Sequence, residues 1–213
     1  LPKTVYNELY FSSNYNRPFA LDLNLYSTIT NEPNRENYGI TIAPRLRVSD
    51  KLLLSLSGNV YNQKSDKGWV AYDGNDIIFA ERDRKTYTLQ PSAKYALSPT
   101  MTLNLSARYY WSYAENKQYL NLQENGTLTP NSTFTENRNS DFSTWNLDLS
   151  YSWWFAPGSQ LSILYRNNAS NFSNEINRNV RSNFSNLFEN NLNNIFSVSF
   201  RYFIDYNSIK NAF

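Results

Sequence analysis

Apolar and polar residues alternate one for one through stretches of roughly ten to thirteen residues, and the pattern recurs along most of the chain. Period-two alternation places every second side chain on the same face of a β-strand. In "FALDLNLYSTI" one face carries Phe19, Leu21, Leu23, Leu25 and Ile29, and the other Asp22, Asn24 and Thr28. "YGITIAPRLRV" sets Tyr38, Ile40, Ile42, Leu46 and Val48 against Thr41, Arg45 and Arg47. "LLLSLSGNVY", "TYTLQPSAKYAL" and "MTLNLSARYYWSY" repeat the pattern, with Lys94 and Arg108 among their polar positions. "TWNLDLSYSWWF" sets Trp145, Leu147, Leu149, Tyr151, Trp153 and Phe155 against Asn146, Asp148, Ser150 and Ser152. The last strand, "FSVSFRYFIDY", sets Phe196, Val198, Phe200, Tyr202 and Ile204 against Ser197, Ser199, Arg201 and Asp205. With a weaker first strand, "TVYNELYF", and one around Leu161, the expectation is about nine strands.

Strands of globular proteins usually have about 5 to 6 residues. A tilted strand crossing a bilayer needs about 9 to 11. The connections also alternate in length. "SDK" (Ser49 to Lys51), "SPT" (Ser98 to Thr100) and "APGS" (Ala156 to Ser159) are short, whereas Asn62 to Asp76, Ala114 to Ser140 and Asn171 to Asn194 are long. Short turns at one end and long loops at the other are the pattern of an outer-membrane barrel, with the short turns periplasmic. The expected fold is therefore all-β: an antiparallel transmembrane β-barrel of the outer-membrane type, in one region over 1–213. Counting back from "APGS" starts Leu1 on the external side. Barrels of this type have an even number of strands, so about nine strands with an external start predict the C-terminal part of a larger barrel, completed by upstream strands or by another chain.

Composition limits the chemistry. The chain has no Cys and no His, which removes disulfides, thiolate chemistry, the Ser-His triad and nearly all zinc sites. A net charge of +2, with no basic run, gives no case for nucleic acid. No apolar run reaches the length of a transmembrane helix, which leaves a barrel open because its signal per segment is weak. Within the long loops, "NLQENGTLTP" predicts a small hairpin turning at Asn125-Gly126. Ile176, Val180, Phe184, Leu187 and Phe188 fall at the spacing of a short amphipathic helix.

"NLQENGTLTP", "WNLDLSYSWWFAPGSQLSILYR" and "FSVSFRYFIDYNSIK", over roughly residues 119 to 213, resemble the C-terminal barrel region of a Bacteroidota outer-membrane family of unknown function. Longer members carry an N-terminal carbohydrate-binding, family-nine-like β-sandwich. The resemblance implies an outer-membrane barrel and supplies no catalytic motif.

Arg45, Arg47, Lys94, Arg108, Asp148, Arg166, Arg201 and Asp205 fall on polar faces and are the candidate lumen-facing residues. Pairing through "APGS" sets Arg166 opposite Ser150 and diagonal to Asp148. Two readings stand side by side: a cation-rich, weakly anion-preferring pore, and a lumen of mutually neutralising charges. Trp111, Trp145, Tyr151, Trp153, Phe155 and Tyr202 are the candidate membrane-interface aromatics. Trp153 and Phe155 lie at the periplasmic girdle, and Trp111 and Trp145 at the opposite one. Trp154 points inward by parity, towards the periplasmic end of the lumen. The loop carboxylates Asp66, Asp73, Asp76, Glu81 and Asp83 read as solvated side chains, since "DGND" does not fit a calcium loop. Loop aromatics such as Trp69, Tyr72, Tyr119 and Phe134 read as packing between loops rather than as sugar platforms.

The expectation is an integral protein of the bacterial outer membrane, a pore or transport-related channel for polar solutes. It is not an enzyme, carries no cofactor or metal, and binds no nucleic acid. Its partners are outer-membrane lipid and other outer-membrane subunits. Carbohydrate is a conceivable ligand with no support in this segment. The alternatives are a structural subunit of a larger outer-membrane complex and a soluble carbohydrate-binding β-sandwich.

Overall fold

The computed structural model describes residues 2–190 and 192–204. Its strands are β1 (Thr4–Ser12), β2 (Phe19–Thr30), β3 (Glu36–Arg47), β4 (Leu52–Asp73), β5 (Asp76–Ser98), β6 (Met101–Leu122), β7 (Leu128–Asn131), β8 (Ser140–Ala156), β9 (Ser159–Ser173) and β10 (Asn193–Arg201), with one helix, α1 (Val180–Asn190), before β10. All ten belong to one antiparallel sheet in the order β1-β2-β3-β4-β5-β6-β8-β9-β10, with β7 paired only to β6. The nine long strands are those the alternation marks, and β7 is the far arm of the small hairpin. Gln123 and Thr127 close that hairpin, with Gly126 at φ 81°.

Sequential antiparallel pairing puts "SDK", "SPT" and "APGS" at one end of the sheet and the long connections at the other. In "APGS", Pro157 and Gly158 turn the chain, with Gly158 at φ 72° and Ala156 paired to Ser159. That residue pair suits a type II turn, where proline fixes φ and glycine takes the positive φ. The Phe203 side chain packs against Gly158, leaving little room for a side chain there.

Two of the expected long loops are largely strand. β4, β5 and β6 run on for 22, 23 and 22 residues, so Asn62 to Asp76 is mostly a hairpin closed by Gly74 and Asn75. Gly74 at φ 57° opens this two-residue turn. Only the connection from β6 to β8 and that from β9 to β10 are long. The second holds the expected helix. Asn179 caps it: its Oδ1 accepts from Ser182 N at 3.1 Å and its carbonyl from Asn183 N at 3.0 Å.

Cross-strand register separates the two faces. One row of the apolar face reads Leu9, Leu25, Ile40, Val60, Tyr87 and Trp111 across six neighbouring strands. One row of the polar face reads Arg45, Ser55, Ser92, Ser106, Asp148 and Arg166. The sheet is open. Every residue of β1 and of β10 is exposed, and the barrel expectation is met only as far as a single antiparallel sheet. Nine long strands in alternating directions leave β1 and β10 running the same way.

Burial is local. On the apolar face α1 lays Phe184 and Leu187 over Tyr109, Trp111, Trp145 and Ala169. Towards the long-connection end, Phe134 packs on Ala71 and Ile78, with Tyr119 beside it. Elsewhere the apolar face lies open: Leu9, Leu25, Leu54, Leu89, Leu149 and Phe196 are all exposed.

Candidate functional site

The polar face carries a groove of about 730 Å³ near the short-turn end, bounded by Arg45 on β3 and Arg108 on β6 and floored by Ser55, Ser57, Gln90 and Ser106. Its floor is hydrophilic because alternation sends the small polar residues of β4, β5 and β6 to this face. Tyr15, from the connection between β1 and β2, reaches over the groove, and the Arg45 guanidinium sits 5.3 Å from its ring centre. Arg108 lies 5.4 Å over the Tyr110 ring. Such contacts leave the outer edge of a guanidinium available for hydrogen bonding. Asp22 also lines the groove, and its carboxylate accepts from the Ser12 hydroxyl at 2.7 Å and from the Tyr15 hydroxyl.

Charge is distributed unevenly along this face. Towards the long connections several cations hold carboxylates. Asp66 draws Arg35 (3.7 Å), Arg82 (3.3 Å) and Arg84 (3.8 Å), and Glu32 holds Lys67 at 2.7 Å, while Asp83, on the face of Tyr87, holds Lys117 at 2.7 Å. Lys67, and then Arg35, keep the Glu32 carboxyl below its usual range. Nearer the short turns, among the described residues, the one ion pair on this face is Asp148 with Arg166, joined by two hydrogen bonds of 2.7 Å. The pair is directly cross-strand. This corrects the expected register, in which Arg166 faced Ser150: Ser150 pairs with Leu164. A shift between Trp154 and Ala156 adds one residue to β8 beside the turn and moves every later pairing.

Of the other expected lumen residues, Arg45 and Arg108 bound the groove, and Arg47 and Lys94 line a smaller hollow of about 200 Å³ beside the "SDK" turn. Among the described residues none of these four has a carboxylate within ion-pair distance. Arg201 ends β10 opposite Gln160, and Asp205 lies outside the described residues. No sequence signal marks Tyr15, since it sits in an irregular connection. Asp22 shows in the alternation, but its partners do not.

Above the groove the polar face changes character. The Tyr26 ring lies across Gly39, its cross-strand partner, and its hydroxyl accepts from Asn59 Nδ2 at 2.9 Å. Tyr61 packs beside it at 5.5 Å. An aromatic ring covering a strand glycine restores the packing that glycine lacks.

The aromatics form two groups on the apolar face. At the short-turn end Phe155 stacks on Phe200 (5.4 Å) and Tyr202 (6.4 Å), and Trp153 lies 5.5 Å from Phe155. Tyr151 shares this face, paired to Ile163, and Trp154 is exposed on the opposite one. Towards the other end Trp111 and Trp145 are covered by α1 rather than open. Trp111 is 1% exposed, stacks on Tyr87 at 4.9 Å and donates through Nε1 to Asp141 Oδ1 at 2.7 Å. Trp145 Nε1 donates to Asn167 Oδ1 at 2.9 Å. Burial pushes the Asp141 carboxyl up, against the hydrogen bonds from Asn177 N–H and Trp111 that favour its charge.

The family described as "Domain of unknown function (DUF5916)" matches residues 1–213. The chain belongs to that family. The match takes in β1 to β6 as well as the C-terminal strands that carry the resemblance. No curated protein matches the chain. In this DUF5916 domain the groove and its unmatched cations are thus read from geometry alone.

Proposed function

We propose that this DUF5916 domain is part of the wall of an outer-membrane β-barrel, its apolar face against lipid and its polar face lining a path for polar solutes. The observation that carries the reading is the breadth of the open apolar face. It spans nine long strands, and over most of its area no second layer of the described residues covers it. Soluble monomers rarely expose a contiguous apolar patch above a few hundred Å², whereas a barrel wall presents just such a band, edged by aromatic girdles. Among the described residues there is one sheet and no partner sheet, so a soluble sandwich lacks its second layer. Among the described residues no helix is long and apolar enough to cross a membrane.

The two exposed edges support completion of the wall by further strands, since unpaired N–H and C=O groups are untenable in lipid. β1 and β10 run in the same direction, so closure by antiparallel ladders takes an odd number of additional strands.

Detergent-phase partitioning and electrophoresis with and without heating test the reading on the full-length protein. A barrel enters the detergent phase and migrates differently once heated. A protein that stays in the aqueous phase with unchanged mobility overturns it.

A further inference from the structure

We propose that the groove between Arg45 and Arg108 is a binding site for the oxyanion group of a solute, a carboxylate or phosphate, on the path along the polar face. The inference rests on the barrel reading for its place on a solute path, but its chemistry stands on three observations.

The first is charge segregation. Towards the long-connection end Asp66 and Glu32 are held by Arg35, Lys67, Arg82 and Arg84. Arg45, Arg47, Lys94 and Arg108 gather at the other end without carboxylate partners among the described residues, and the Asp148–Arg166 pair cancels itself. Asp22 and Asp50 stand among these cations without pairing to them, so positive charge is in excess here, and a low-dielectric wall with an excess of one sign of charge concentrates counter-ions.

The second is shape and donor chemistry. Arg45 and Arg108 stand on strands three spacings apart, about 14 Å between backbones. Between them lie Ser55, Ser57, Ser92 and Ser106, whose hydroxyls can donate. A volume of about 730 Å³ falls in the range of small-molecule sites. Guanidinium groups and hydroxyls converging on one space suit a planar or tetrahedral oxyanion.

The third is the state of Asp22, the carboxylate within the groove. Two hydroxyl donors, from Ser12 and Tyr15, already occupy its oxygens. It neutralises neither arginine, and it fixes Tyr15, whose ring supports Arg45. The arginine is thereby oriented with its charge unspent.

Equilibrium binding of inorganic pyrophosphate to the full-length protein in detergent micelles tests the site, with a neutral polyol as comparison. Saturable pyrophosphate binding that weakens as salt rises is expected, with no polyol binding in the same range. R45Q and R108Q should each weaken it about tenfold or more, the loss of one charge-assisted contact, while R45K retains part of the affinity and R84Q, in the matched network, retains all of it. Unchanged heat-shifted mobility shows that each variant is folded. Equal binding by R45Q, R108Q and the parent protein, equal binding of the polyol, or no saturable binding overturns the proposal. Planar-bilayer recordings separate it from the solute path. Pyrophosphate binding without conductance keeps the anion site and sinks the open path. Conductance without arginine-dependent binding does the reverse.

Discussion

The Arg166 guanidinium grips the Asp148 carboxylate through two hydrogen bonds of 2.7 Å, straight across the ladder between β8 and β9. Both side chains are substantially exposed, 46% and 38%, so solvent screens the pair and its share of stability is small. Its effect on the field along the polar face is larger, because it neutralises a carboxylate on the strand beside Arg108. D148N should leave the unfolding midpoint nearly unchanged and raise anion preference in bilayer recordings. R166Q should lower it. Identical reversal potentials for both variants and the parent protein would contradict this.

Gly39 is required by Tyr26. A Cβ at 39 would overlap the Tyr26 ring, so G39V should cost about 1–3 kcal/mol through overpacking. Replacing Tyr26 by serine removes the obstacle, and the double variant should lose less than the sum of the singles. Urea unfolding of the four proteins in detergent measures this. Strict additivity would show that the ring does not dictate the glycine.

Leu187 is the deepest side chain of α1, 1% exposed over the Tyr109 and Trp111 surface. L187A should cost about 2–5 kcal/mol of helix docking while the sheet ladders persist. Hydrogen exchange should accelerate in α1 and remain slow in β5 and β6. Equal acceleration in the sheet would mean that helix and sheet open together.

Asp141 makes that docking pH-dependent. It lies near the long-connection end of β8, paired with Tyr113. Its carboxyl is raised above 3.8 mainly by burial, so the folded state binds its proton more tightly than the unfolded chain does. The contribution is then full below about 3.8 and is lost as pH rises through the higher folded value. Near-ultraviolet circular dichroism, which reports Trp111 packing, should show a titration in the parent protein over that window, absent in D141N. The same titration in D141N would assign it to another group.

Legibility followed physical demand. Where one face of the sheet is apolar and the other polar, alternation is strict, and β2, β3 and β8 can be read directly from Leu21–Leu23–Leu25, Ile40–Ile42 and Leu147–Leu149. Past that band both faces of β4 and β5 meet water or loops. The stretch from Gln63 to Lys67 and that from Glu81 to Lys85 are polar on both sides, so their strands looked like loops. The partner of Arg166 was hidden for another reason. The extra residue of β8 beside "APGS" leaves no mark on composition, yet it moves the arginine's partner by one position: the ladder continued unbroken from Ala156 and Ser159 would set Leu149 opposite Arg166, and the shift sets Asp148 there. The α1 spacing was visible, but its docking onto Trp111 and Trp145 was not, because an apolar helix face does not name the surface it covers. The groove was legible as polar positions and illegible as a site, since Tyr15 comes from an irregular connection.

Neighbouring residues of β8 test the central claim most directly. The chain has no cysteine, so L147C, D148C, L149C, S150C, Y151C and S152C can each be made as a single reporter in the membrane-embedded full-length protein. A small water-soluble maleimide should label 148, 150 and 152 and spare 147, 149 and 151, and all six should react after denaturation. Labelling of both sets alike in the membrane would show that the apolar face does not meet lipid.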